Sequence, residues 1–144
     1  MKILSLLFLT IFLGKGCDNG QKQDIDTAVI EYTANTRGYF QRITIQKQTV
    51  TVSKDRNGKD NPKAEKISDA AWKALISEFQ EVNLEDLQNL KGPTEKRFYD
   101  GAAIGNLKIT YKGKTYETNG FDHGVPPAEI EGLVNKMLAL VKEE

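Results

Sequence analysis

The chain has 144 residues, with 20 basic and 20 acidic side chains, one histidine and one cysteine. Balanced, interspersed charge provides no basic surface for nucleic acid, and a single cysteine excludes an intramolecular disulfide. The length suits one domain folded around a single core.

The N-terminus carries one positive charge at Lys2, then eleven uncharged and mostly apolar residues from Ile3 to Leu13. A bilayer core of about 30 Å takes about 20 such residues to cross, so this run reads as a secretory signal peptide. Leu13-Gly14-Lys15-Gly16-Cys17 follows and resembles the lipobox of bacterial lipoproteins, with Gly16 as the small residue before the cysteine. Gly14 stands where that pattern has leucine, and Leu13 lies one position earlier. The resemblance implies cleavage before Cys17 and lipidation at Cys17. It also implies export and attachment to the cell envelope through that lipid, with the outer membrane as the expected place and its periplasmic or surface face open. The competing readings are an ordinary signal peptide followed by a free thiol, and a short uncleaved anchor. Cleavage there removes Lys2 and Lys15 and leaves 128 residues with a formal charge of −2.

Asp18 to Asp26 is polar and without hydrophobic period, as expected of a flexible tether. Its acidic content resembles the export signal that follows the lipid cysteine in Bacteroidota-type lipoproteins. The chain thus divides into a signal peptide (1–16), a lipidated cysteine with tether (17–26) and one domain (27–144).

Within the domain, Ala28, Ile30 and Tyr32 alternate with Val29, Glu31 and Thr33, which predicts a strand with one wet face. Tyr39–Gln46 and Gln48–Lys54 repeat the pattern and pair as a hairpin around Lys47. Lys54 to Pro62 is turn chemistry, with Asn57-Gly58 able to supply positive φ. Ser68 predicts a helix N-cap, with Ile67 before it stapling onto Trp72. Trp72, Leu75, Ile76, Phe79 and Val82 then form one apolar stripe at helical spacing. Lys91 to Gly105 has no clear period. Strands return at Asn106–Lys112 and Thr115–Phe121, where a two-residue Gly113-Lys114 turn would set Tyr111 opposite Tyr116. A last helix starts at Pro126-Pro127 and buries Ile130, Leu133, Val134, Met137, Leu138 and Val141. The order β-β-β-α-β-β-α predicts an α+β domain, an antiparallel sheet of about five strands with two helices on one face. There is no internal repeat.

This order, with its Trp-bearing helix (ISDAAWKALISEF) and its hairpin leading into a Pro-started helix (GVPPAEIEGLV), resembles the small uncharacterised lipoproteins common in Bacteroidota. The likeness covers residues 29–140. It implies the fold and brings no reaction, because its motifs are structural. One such group has a paired-cysteine loop near the first hairpin, where this chain has Arg37-Gly38-Tyr39.

Two stretches hold candidate chemistry. Asn119–Pro127 (NGFDHGVPP) contains the only histidine. Neighbours on an extended strand point to opposite faces, so Asp122 and His123 do not make a catalytic pair by themselves, and a connector with glycine bends explains each residue. One histidine and one cysteine are too few for a zinc site, and no Asp-rich calcium loop is present, so no metal and no cofactor are expected. Lys96-Arg97-Phe98-Tyr99-Asp100 sets an arginine beside two aromatics in a long loop, the composition of an interface hot spot. Its alternative is that Phe98 and Tyr99 plug the open end of the sheet. Arg37 and Tyr39 have the same flavour. The candidate binding surface is therefore Arg37, Tyr39, Arg97, Phe98, Tyr99, Asp100, Asp122 and His123. No P-loop, dinucleotide fingerprint, nucleophile elbow or His-Glu-x-x-His occurs.

Three functions follow. The first is a non-enzymatic binding or assembly module of the envelope. Its partners would be the membrane, through the lipid, and another envelope protein or a glycan. The second is an envelope hydrolase using Asp100, Asp122 and His123. The third is a small inhibitor of an exogenous enzyme. The hydrolase requires Asp100 and His123 in one cleft; the binding module requires Arg97, Phe98 and Tyr99 to be exposed.

Overall fold

A computed structural model of the chain describes residues 24–141. The expected signal peptide, Cys17 and all of the expected tether before Asp24 lie outside the described residues. Strands β1 (Val29–Thr36), β2 (Tyr39–Gln46), β3 (Thr49–Ser53) and β4 (Glu65–Lys66) precede helix α1 (Asp69–Gln80). Strands β5 (Ile104–Tyr111), β6 (Lys114–Glu117) and β7 (Phe121–Asp122) precede helix α2 (Glu131–Ala139). All pair antiparallel in the order β4-β3-β2-β1-β5-β6, with β7 on β5. This is the expected α+β architecture, with two short strands, β4 and β7, added to the expected five.

Period-two alternation decides the faces. Ile30, Tyr32 and Ala34 of β1, Ile43 and Ile45 of β2, and Leu107 and Ile109 of β5 are all but fully buried on the helix side. Glu31, Thr33, Arg42, Thr44, Lys108 and Thr110 line the other, partly solvated face, where Lys108 Nζ lies 3.7 Å from Glu31 Oε2. Trp72, Leu75 and Phe79 from α1 and Leu133, Val134 and Met137 from α2 close the core. Ser68 caps α1 as expected, its side chain accepting from the Ala71 N–H, and Ile67 is buried in the core that Trp72 joins.

The register defines two ends. Val29 pairs with Gln46 and Thr110, so the turns Lys47-Gln48 and Lys112-Gly113 lie at the proximal end, where the chain comes in. Asn35 pairs with Phe40 and Ile104, so the Arg37-Gly38 turn and the segment before β5 lie at the distal end. Ile25, inside the expected tether, is buried, and the Asp24 N–H donates to Tyr111 Oη at 2.9 Å. Among the described residues, every buried apolar side chain of the core comes from residues 25–137.

Three expectations are corrected. The β5–β6 turn is Lys112-Gly113, so Tyr111 pairs with Lys114 and Tyr116 with Ile109. Both turn residues have positive φ (50° and 78°), as a two-residue hairpin requires, and Tyr111 instead meets Phe79 edge-on at 6.0 Å. The expected strand Thr115–Phe121 breaks at Thr118. There the hydroxyl accepts from the Leu107 N–H at 3.0 Å, a side chain standing in for a backbone acceptor. β7 is therefore separate. Pro126-Pro127 does not open the last helix: Pro127 is extended (ψ 143°), Ala128–Ile130 is a 3₁₀ turn, and α2 starts at Glu131.

Replacing Ser68 by Ala should cost about 1 kcal/mol through the lost cap. Replacing Lys112 by Asn, which tolerates left-handed backbone, should add up to about 1 kcal/mol. Denaturant melts of both variants against the parent check the two signs.

Candidate functional site

The distal end is organised around β7. Gly105, opposite Phe121 on β5, is required there by space: a Cβ would lie 2.7 Å from Tyr32 Oη and 2.8 Å from Phe121 Cε2. Both rings are fully buried and cannot yield. Asp122, the second residue of β7, is fully buried as well.

Its carboxylate is fastened from the segment before β5. Oδ2 accepts from Thr94 Oγ1 and from the Lys96 N–H at 2.7 Å. Oδ1 accepts from the Arg97 N–H at 3.0 Å and from Arg97 Nη1 at 3.1 Å. Asp122 thus caps the 3₁₀ turn Lys96–Tyr99 from a different element, doing at long range what an N-cap does locally. Burial alone would push this carboxyl up. The Thr94 hydroxyl, the backbone N–H groups of Arg97 and Lys96 and the guanidinium more than reverse that, holding it well below the usual carboxylate range.

The fold splits the basic-aromatic stretch. The Arg97 side chain, expected to be exposed, is only 14% so. It holds Asp122 and the Thr94 carbonyl, the latter at 2.9 Å. Its Cζ sits 4.4 Å from the centroid of Phe98. Phe98 and Tyr99 are 71% and 72% exposed, so neither plugs the sheet. Asp100 closes the turn in left-handed backbone (φ 61°), exposed to solvent.

His123 continues from β7, its N–H donating to the Ala103 carbonyl at 2.9 Å. Its Nδ1 lies 2.8 Å from Tyr32 Oη. The Gly124 N–H is directed at the same phenol oxygen, and the phenol and the imidazole share one hydrogen bond whose donor follows the histidine tautomer. Burial, then the nearby Tyr39, pushes the Tyr32 phenol well up, and burial pushes His123 down. The Tyr39 ring, 41% exposed, packs 6.4 Å from the imidazole.

Of the sequence-predicted residues, the structure brings together Tyr39, Arg97, Phe98, Tyr99, Asp100, Asp122 and His123 at the distal end. Arg37 is also distal, exposed at the hairpin tip. Asp122 and His123 face different partners, as alternation implies, and Asp100 bonds to neither among the described residues. An Asp122 carboxylate holding four donors is an anchor rather than a base. No group of three or more potential metal ligands occurs among the described residues. Sequence reasoning missed Thr94 and Tyr32, whose roles rest on contacts 28 and 91 residues away. It also missed Ile104 and Val125.

Those two complete a pattern. The large apolar side chains left exposed among the described residues are Tyr39, Phe98, Tyr99, Ile104 and Val125. Each is one step from β7 or His123. Tyr39 packs on His123, Phe98 and Tyr99 ride the turn that Asp122 caps, Ile104 pairs with Asp122, and the Val125 N–H donates to the Asp122 carbonyl.

No family model, curated protein or solved structure matches this chain.

Two outcomes follow. In Asp122→Asn an amide replaces an acceptor-only carboxylate and turns a donor toward bound N–H groups. The Lys96 and Arg97 amides should lose their hydrogen-exchange protection while those of β1 keep theirs, and the melting temperature should fall. A histidine depressed below its unfolded value of about 6.5 adds stability that is complete above that pH and is lost progressively as pH falls from there through the lower folded-state value. Asp122, also depressed, loses its contribution only below about pH 4. The melting temperature should therefore drop between pH 7.5 and 5, and His123→Gln should flatten that slope.

Proposed function

We propose that the chain is a lipid-anchored protein of the bacterial cell envelope, a non-enzymatic module that binds another envelope protein through the aromatic side chains at its distal end. The observation that carries the binding is the turn Lys96–Tyr99, which holds Phe98 and Tyr99 largely exposed on a backbone locked by a buried carboxylate. Scattered exposed apolar residues are ordinary, but their concentration at one end of the sheet marks an interaction site. Aromatics dominate interface hot spots, and a turn already fixed loses little further entropy when a partner arrives.

The lipobox-like segment ending at Cys17 supports the anchoring. No helix among the described residues is long and apolar enough to cross a membrane, and this reading attaches the chain through a lipid on Cys17. The chain reaches β1 at the proximal end, so an anchor there leaves the aromatic end facing away from the bilayer.

The binding test is capture from native envelopes by residues 17–144 carrying Cys17→Ser, beside the same chain with Phe98→Ala and Tyr99→Ala. Both side chains are exposed, so the two proteins should melt within about 0.5 kcal/mol of one another. One defined protein held by the first and lost by the second is the expected result; equal capture by both rejects the reading, and loss of a glycan instead would change the partner class. Anchoring is checked in cells: Cys17→Ser should move the protein from the detergent phase to the aqueous phase.

A further inference from the structure

The sequence holds three Asn-Gly pairs, at Asn19, Asn57 and Asn119, the first outside the described residues. Such a pair carries its own reactivity. The backbone nitrogen of the glycine can attack the side-chain carbonyl carbon of the asparagine, and no Cβ on the glycine stands in its way. The fold treats the two described pairs differently.

Asn57 and Gly58 lie exposed in the loop between β3 and β4. The Asn57 backbone N–H donates to Asp55 Oδ1 at 3.0 Å, but no hydrogen bond ties its side-chain amide among the described residues. Gly58 has left-handed backbone (φ 69°), and nothing lies within 4 Å of the place where a Cβ would be. Its N–H donates to the Asp55 carbonyl at 3.0 Å, a single bond at the surface that opens at small cost.

Asn119 stands just before β7. Its Nδ2 donates to the Gln88 carbonyl at 2.8 Å, and a Cβ on Gly120 would lie 2.9 Å from Ile104 Cγ2. Thr118 on one side and Phe121 on the other are buried. Turning this carboxamide onto the glycine nitrogen would break its bond and shift a segment clamped at both ends.

We infer that Asn57 is a modification site, at which the folded protein deamidates without an enzyme while Asn119 is spared. The Gly58 nitrogen bonds to Asn57 Cγ and gives up its proton as the Cγ–Nδ2 bond breaks, releasing ammonia. Water then opens the five-membered imide at either carbonyl. One product is aspartate in the normal chain. The other is isoaspartate, with the chain rerouted through the side chain and lengthened by one methylene. Both add a negative charge beside Asp55. The lengthened turn loses the bond from the Lys59 N–H to Asp55 Oδ2, now 2.8 Å. Arg56, in the same turn, donates from Nη2 to the Thr36 carbonyl at 2.6 Å, so the change loosens a tie to the tip of the β1–β2 hairpin.

The test is peptide mapping by mass spectrometry of the Cys17→Ser chain, residues 17–144, held folded at mildly alkaline pH and, in parallel, in denaturant. In the folded chain the Asn57 peptide should take the mass of the acid, as a mixture of aspartate and isoaspartate, while the Asn119 peptide keeps the mass of the amide. In denaturant the two should convert at similar rates. Gly58→Ala, exposed and outside the core, should slow conversion at Asn57 several-fold and leave Asn119 unchanged. Equal conversion of both pairs in the folded chain would overturn the inference. So would an Asn57 that converts only in denaturant, or a conversion that Gly58→Ala does not slow.

Discussion

The distal half of this fold depends on one buried carboxylate. Segment 91–103 has no apolar period and contributes no helix or strand to the core, yet it is held against β7 by the four donors that converge on Asp122. A buried charge is tolerated only when such partners satisfy it. The dependence runs both ways. The backbone N–H groups of Lys96 and Arg97 have no other acceptor of this quality, so the turn and the carboxylate exist in their present form only together.

Tyr32 adds a second tie. It comes from the central strand, buried on the helix side, and spends its hydroxyl on His123. Gly105 makes room for that hydroxyl, and Phe121 shares the space at 6.1 Å between ring centroids. β1, β5 and β7 are thereby locked in register at one end by a phenol, an imidazole and an absent side chain. The aromatic residues that reach solvent are mounted on this polar cluster rather than on the apolar core.

What was legible in the sequence follows periodicity. Ile30 and Tyr32, Ile43 and Ile45, and the stripe from Trp72 to Phe79 repeat often enough to announce their faces, and Ser68 marks a helix start by chemistry alone. β4 and β7 are two residues each, too short for any period. The place of the β5–β6 turn was hidden because lysine at Lys112 gives no sign of left-handed backbone. The basic-aromatic stretch was visible as a group, and the exposure of Phe98 and Tyr99 agrees with its composition. That Arg97 turns inward depends on an aspartate 25 positions away, and no local pattern encodes a partner at that separation. Thr94 is silent for the same reason.

The antiparallel register of β1 has a mechanical consequence. β1 lies between β2 and β5, receives the chain at Val29 and ends beside the distal cluster. The seven steps along this eight-residue strand, at about 3.3 Å each, separate those points by about 23 Å. Tension applied between the N-terminal side of the domain and the Phe98–Tyr99 turn would run along the axis of β1. Both of its ladders would then be loaded in shear, with many hydrogen bonds sharing the force, rather than peeled open one at a time. The fold is arranged to resist pulling along that line more strongly than across it.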